Sequence, residues 1–530
     1  MKNILLCGIF IFSLSSLLNA QIKFQKTYGG TNEEYAYSII QSSDSSYVFT
    51  GWTNSFGAGN QDVLLIKINQ NGDTVWTRAF GGAQDDKGYS VKQTHDGGYV
   101  ICGITTSFGA NYSDIYIIRT DENGMLLWSK TIGDSLSQTG NCIIETNDNG
   151  FIVAGNTFGS GQSVFENYLL KLNENGDLLW TKIYGSIAQE TLNFITQTSD
   201  KGYILTGTRG TGPYPEDNNV YLLKTDSNGS LIWNHSYGKP GTNGYGRDFG
   251  QCVKQTLDGG YIVCGTTNSF GAGNGDAYII RTNSSGDTLW TKTYGGIDDE
   301  FAYEIIPAPD SGFIVIGSSD SYGSRGTDAY LLKLYFDGTV NWVKTFGGGY
   351  FDRFYSVKPT FDGGYILAGY TEIYSIGTHD AYVIKTDGNG NSGCLELNPA
   401  TTVKSPNTQV DSPIINVYSG GFSATPPTQM NSGTSVKLLC SSIGIEENCF
   451  STFFDLYPNP SNGNFIIKSK GSKSKYKIQV LNLFGVNLLN KEVSSVENLE
   501  VELEDKADGI YFVQIQQEGV QYTKKIIIYN

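Results

Sequence analysis

The stretch from Asp258 to Gly296 reads DGGYIVCGTTNSFGAGNGDAYIIRTNSSGDTLWTKTYGG, and degraded copies of it fill most of the chain. Its tryptophan measures the copies: Trp76, Trp128, Trp180, Trp233, Trp290 and Trp342 stand 52, 52, 53, 57 and 52 residues apart. A seventh copy, KTDGNGNSGC from Lys385, carries Cys394 where the tryptophan would fall. A repeat of this length is too long for one turn of a small solenoid and suits a four-stranded propeller blade.

Each copy divides into four strands. Around the quoted stretch, strand B covers 261–266, strand C 277–282, strand D 288–294 and the next strand A 301–306. The A-to-B turns open on Asp96, Asp148, Asp200, Asp258, Asp310 and Asp362, and the C-to-D turns read NGD or close to it. Asp or Asn beside Gly tolerates the positive φ angles of tight hairpins, so the order is an antiparallel meander. Ile262 and Cys264 on one face and Tyr261 and Val263 on the other are all apolar. A sheet with one wet face would alternate, so each sheet is expected to lie between two neighbours.

The ends of the array complement each other. Before the first full copy stands a lone D-like strand, FQKTYGG at 24–30, and the seventh copy stops after strand C. Donating the opening strand to the last sheet pairs two open edges and closes a ring, which predicts a seven-bladed β-propeller over 21–394. With strand A innermost, the D-to-A connections and the Gly-rich B-to-C loops share one rim. Long loops on a rigid scaffold are where binding concentrates, so sites are expected there.

Two rows of acids mark that rim. Glu34, Asp86, Glu190, Asp248, Glu300 and Asp352 open strand A, with Gln138 in the remaining copy, and Asp62, Asp114, Asp276, Asp328 and Asp380 precede strand C. Carboxylates near Gly-rich carbonyls suggest calcium as a candidate cofactor; the simpler reading is that they cap loop N–H groups. Departures from the repeat suggest ligand sites. The loop GTGPYPEDNN from Gly210 gains Tyr214, Glu216 and Asp217, and the connection KPGTNGYGR from Lys239 is five residues longer than its counterparts, bringing Tyr245 and Arg247. Trp52 and Tyr370 form a second aromatic pair, neighbours only if the ring closes. Such groups stack sugar rings. For chemistry, the three histidines His95, His235 and His379 fall at unrelated repeat positions, and no nucleophile elbow or phosphate loop occurs. The Gly turn and Trp after strand C resemble the blade signature of quinone-cofactor dehydrogenases, a likeness that transfers blade docking and not the cofactor.

Abundant Gly and Tyr (66 and 34 of 530 residues) with 17% charged residues favour short strands over helices, an all-β chain. Thirty-six basic against 52 acidic residues leave a net charge of −16, which argues against nucleic acid and anionic lipid as partners. Lys2, the apolar run 4–18 and Ala20 read as a signal peptide over 1–20, and no later run is long enough to span a membrane. Of the eight cysteines, Cys102, Cys142, Cys252 and Cys264 fall on repeat strands as small buried hydrophobes. A Cys252–Cys264 cross-strand bridge and a Cys394–Cys440 bridge are the alternatives for an oxidising compartment.

From 395 to 452 the chain turns Ser-, Thr-, Pro- and Asn-rich without a period, and reads as a tether. Residues 453–530 form alternating strands of a small β-sandwich. Three motifs there, Tyr457-Pro458-Asn459-Pro460 with Gly463, Asp508-Gly509-Ile510-Tyr511, and Lys524-Lys525, resemble the type A C-terminal sorting domain of the type IX secretion system. That resemblance implies an outer-membrane translocon as partner and a secreted or surface-attached product. The expected function is a binding module for glycan or protein, with a propeller enzyme (lyase, glycosidase or quinoprotein-like) as the alternative.

Overall fold

The computed structural model describes residues 21–109, 112–158, 164–186, 188–210, 218–239, 246–393 and 396–399. From 401 onward it describes the strands named below with a few flanking residues. The signal-peptide region 1–20 lies outside the described residues. Every element among the described residues is a β-strand, and the contacts divide the chain into two units, Gln21–Ser442 and a C-terminal unit from Ile443 to Asn530.

The larger unit holds seven antiparallel sheets built on one plan. In the first, strand A is Glu34–Gln41, B Tyr47–Thr53, C Asp62–Ile68 and D Thr74–Gly81. The turn chemistry explains the hairpins. In all seven repeats the Asp of the A-to-B turn meets a cation from strand C, from Lys67–Asp44 through Arg281–Asp258 to Lys385–Asp362. This pairing accounts for Arg281, buried on a strand otherwise apolar on both faces. Strands B and C are buried almost throughout, because each sheet packs a face on either neighbour.

Successive sheets dock through their D strands. The Trp of one repeat lies over the glycine of the next C-to-D turn: Trp76 on Gly124, Trp233 on Gly286, Trp342 on Gly390. These glycines hold φ between +72° and +87°, and a Cβ there would strike the indole, or at Gly286 the His235 ring before it. The first repeat's own C-to-D turn, at Gly72, is covered by Phe24 from the seventh sheet. Tyr28 likewise donates its hydroxyl to the Gly72 carbonyl at 2.6 Å, as Tyr294 does to Gly338 at 2.6 Å. The opening strand, Ile22–Gly29, pairs antiparallel with strand C of the seventh repeat, Asp380–Thr386, with Thr27 opposite Tyr382. The missing D strand of the last copy is therefore supplied from the other end of the array.

The A strands meet in a cycle. Each contacts the next through Asp86–Gln93, Gln138–Glu145, Glu190–Gln197, Asp248–Gln255, Glu300–Pro307 and Asp352–Pro359, and the last contacts Glu34–Gln41. Hydrogen bonds run the same way: Ser38 Oγ accepts Val91 N–H at 3.3 Å, Glu304 accepts Val357 N–H at 2.8 Å, and Ser356 Oγ accepts Ile39 N–H at 3.3 Å.

The segment expected to be a tether does something else. It contributes Glu396–Leu397, Thr402–Lys404, Gln409–Asp411, Asn416–Tyr418, Phe422–Ala424, Gln429–Asn431 and Ser435–Ile443, each the fifth strand of a different sheet. They visit the sheets in reverse order, from the sixth repeat down to the first and then the seventh, beside the opening strand. Strand D is consequently not the outer edge. Low apolar content did not prevent order, because the added strands are held by backbone ladders such as Tyr294 opposite Val403.

Cys252 and Cys264 face each other across the A–B pair with free, buried thiols, as are those of Cys102 and Cys142. Cys394 and Cys449 lie outside the described residues. In the C-terminal unit a three-stranded sheet ordered Phe454–Tyr457, Asn464–Ser469, Asn498–Glu502 accompanies a four-stranded one. The second sheet runs Asn487–Val493, Tyr476–Asn482, Gly509–Gln517, Val520–Ile528. Phe465, Ile467 and Val501 of the first sheet share one buried cluster with Ile478, Val513 and Ile526 of the second.

Candidate functional site

The two acid rows meet at the seams between sheets. Side chains built on Gly81, Gly295 and Gly347 would run into both Asp62 and Asp86, Asp276 and Glu300, and Asp328 and Asp352 respectively. One acid of each pair caps the B-to-C loop: Asp276 accepts Ala272 N–H at 3.0 Å and Asp328 accepts Ser324 N–H at 2.7 Å, with Asp62 and Asp380 doing the same for Gly59 and Ile376. The other caps the D-to-A connection: Glu34 accepts Gly30 N–H at 2.7 Å, Asp86 Gly82 N–H and Glu300 Gly296 N–H. Asp114 faces Gln138 across Gly133. The five aspartates weighed for calcium thus sit at five separate seams. Among the described residues no three His, Cys, Asp or Glu side chains are grouped to hold a metal. Burial, reinforced by the facing Asp352 carboxylate, pushes Asp328 up to about 7. Burial likewise raises Asp62, Asp248 and Asp352 to about 6.

The seven A strands enclose an axial cavity of about 170 Å³ lined by residues from every one of them. A β-bulge at the fourth position of each A strand aims the side chain there into the lumen. The bulge is made possible by a glycine opposite it on strand B. A Cβ on Gly51 would collide with the Tyr35 carbonyl, and the same holds for Gly265 and Phe249. The bulged residues are Tyr37, Tyr89, Asn141, Asn193, Gln251, Tyr303 and Tyr355. Asn141 and Asn193 spend their amides on the next A strand, donating to Leu192 and Gly250 carbonyls at 2.7 and 2.8 Å.

On the side formed by repeats 6, 7, 1 and 2 the lumen is aromatic. Tyr37 lies between Tyr89 and Tyr355, ring centroids 5.4 and 5.0 Å away, and Tyr303 contacts Tyr355 at 4.9 Å. Toward the loop-rich rim, Tyr35 is sandwiched by Trp52 at 4.5 Å and Tyr370 at 4.4 Å. Lys87 stands over Trp52 and Arg353 over Phe301, while His379 adjoins Tyr35 and meets Glu33 at 3.3 Å. Burial raises the phenol pKa of Tyr35, Tyr37, Tyr89 and Tyr355, so all four remain neutral donors.

Trp52 and Tyr370, expected as a pair across the closure, are brought together through Tyr35. Both are buried, at 5% and 7% exposure, and they brace the wall while the half-exposed tyrosines form its surface. Sequence reading missed Tyr35, Tyr37, Tyr89, Tyr303 and Tyr355. Their signal was a tyrosine at the fourth A-strand position in four adjacent repeats, with an aromatic residue at the second position in two of them. Tyr214, Glu216, Asp217 and Tyr245 lie outside the described residues. Arg247 is described, at a parallel bridge to Asn218 that joins a D-to-A connection to a B-to-C loop. Of the sorting motif, Tyr457 is exposed, Tyr511 is buried and Lys524 half-buried; Asn459, Pro460 and Gly463 lie outside the described residues.

Residues 455–529 match the family of secretion system C-terminal sorting domains. The tail therefore marks the protein for the type IX machinery, with a secreted or surface-attached destination. No curated protein matches the chain. Among solved structures, Sqt1 from Chaetomium thermophilum aligns with a TM-score of 0.38 at 10% identity, over 65% of this chain and 81% of that one, a likeness too distant to bear on ligand or activity. Among the described residues no helix is long and apolar enough to cross a membrane.

Proposed function

We propose that this exported protein is a glycan-binding module, a seven-bladed β-propeller closed by its own opening strand, carried to the cell surface by a C-terminal β-sandwich. The apolar opening up to Ala20 serves as its export signal, and residues 21–394 form the wheel. The reading is supported by the cyclic contacts of the A strands and by Phe24 standing in for the absent seventh tryptophan.

The observation that carries the ligand class is the aromatic wall of the channel, which runs from the lumen toward the loop-rich rim. Tyr35, Tyr37, Tyr89, Tyr303 and Tyr355 present ring edges and neutral hydroxyls, with Arg353 and Lys87 beside them. Sugars are held by this combination of apolar ring surface and fixed hydroxyl partners. The seam aspartates act as loop caps in this reading, and no cofactor is required.

The test is a glycan array on the full chain followed by titration of the best binder, with and without a calcium chelator. Tyr355→Ala is expected to weaken binding about tenfold or more, the usual scale for a central aromatic anchor. The chelator is expected to change nothing. Equal affinity of wild type and Tyr355→Ala at unchanged melting temperature overturns the reading.

A further inference from the structure

Beyond the tyrosines the channel changes character. The seventh position of strand A is Lys92 in the second repeat, Lys254 in the fifth and Lys358 in the seventh; Lys92 and Lys358 line the axial cavity, and Lys254 reaches its Glu304 from the adjoining cavity. One carboxylate answers them. Glu304 accepts from Lys358 Nζ at 2.6 Å and lies 3.9 Å from Lys254 Nζ, while Ser356 donates to it at 2.9 Å. Although burial opposes its charge, Lys358 and Lys254 push Glu304 down to about 2, so it is ionised. Lys254 also stands over the Phe194 ring at 4.2 Å. Lys92, which lines the same cavity, has no ion pair or hydrogen bond among the described residues.

Three ammonium groups against one carboxylate leave two positive charges in excess, at the axis of a chain whose net charge is −16. Charges taken from water are costly unless paired. Burial, with Lys92 and Lys254 adding repulsion against the pull of Glu304, lowers Lys358 to about 8. The cavity has polar lining and, at about 170 Å³, room for about five waters, enough for one oxyanion and part of its hydration. Ser38 adds a hydroxyl that accepts Val91 N–H and donates to no described acceptor.

We infer that this chamber is an anion site, binding a single carboxylate or sulfate group between Lys92, Lys254 and Lys358. The site shares its cavity with the tyrosine wall, three positions further along strand A, and does not depend on the glycan reading. The shared chemistry is a compact oxyanion, which a free inorganic ion or the acidic group of a sugar could supply.

The experiment is thermal melting and calorimetric titration of the full chain with sodium sulfate, sodium glucuronate and neutral glucose, at ionic strength held constant with chloride. Sulfate or glucuronate should raise the melting temperature, and glucose should not. Lys92→Gln should melt no lower than wild type in chloride, because it breaks no pair and relieves repulsion on Lys358, and should bind the anion about tenfold more weakly. Glu304→Gln removes the one carboxylate paired with these lysines among the described residues and should bind about tenfold more tightly; if Lys92→Gln fails to fold, this gain decides alone. Glucuronate binding more tightly than sulfate identifies an acidic sugar as the source, and the reverse order identifies an inorganic ion. Shifts from sulfate and glucuronate that match those of chloride, or that are the same in wild type and both variants, overturn the assignment.

Discussion

At each seam of the array a side chain from strand C faces one from the next strand A, and the chain has answered the resulting repulsion in different ways. Asp114 faces Gln138, Asn219 takes the strand C position opposite Asp248, and Glu190 is held by Arg209 at 2.9 Å. The Asp328–Asp352 seam keeps two acids. Asp328, about 2% exposed, has a folded pKa of about 7 against an ordinary carboxylate value near 4. The folded state therefore holds a proton that the unfolded chain releases. Stability from this group is greatest below about pH 4 and is lost as pH rises through about 7. Asp328→Asn, the substitution that Asn219 already represents, should stabilise the repeat unit by about 1–3 kcal/mol at pH 8. At pH 4.5 it should do nearly nothing. Denaturant unfolding of the full chain at the two pH values checks this, and an equal effect at both would show that the seam carries no buried charge.

At the scale of elements, two sets of strands come from outside the repeats, the opening strand and the seven fifth strands. The opening strand fills the last sheet with Phe24 and Tyr28, both fully buried, which together contribute about 3–6 kcal/mol. Deleting residues 21–30 should lower the melting temperature by about 5–10 °C, measured by circular dichroism; an unchanged melt would mean that the array is stable as an open arc. This strand was legible in advance because FQKTYG repeats the phase of LWTKTYG, with Phe24 at the tryptophan position. The encircling strands 396–443 were not legible. Apart from Ser435–Ile443 they are segments of two or three residues held by main-chain hydrogen bonds, which any sequence can make, so no side-chain period announces them. They cover edges that would otherwise be open to pairing with another chain.

For the whole molecule, the destination is written in the C-terminal unit. Removing 455–530 should leave the protein in the periplasm, where cell fractionation and surface labelling would find it; surface labelling that persists without the tail would show another route. The residues that match the sorting domain form a unit with its own core.

By itself the amino-acid sequence determined the repeat, its four-strand meander, the complementary ends and the sorting tail. Each of these depends on residues close together in the chain, where turn chemistry and strand alternation leave a visible pattern. Only the tertiary structure decided what the lumen holds. Tyr35 meets Tyr370, and Lys358 meets Glu304 and lies near Lys92, across separations that local patterning does not reach. One strand position repeated seven times becomes a ring of unlike groups only after the sheets close around an axis. That assembly turns scattered exceptions to a repeat into an aromatic wall and a cluster of charge.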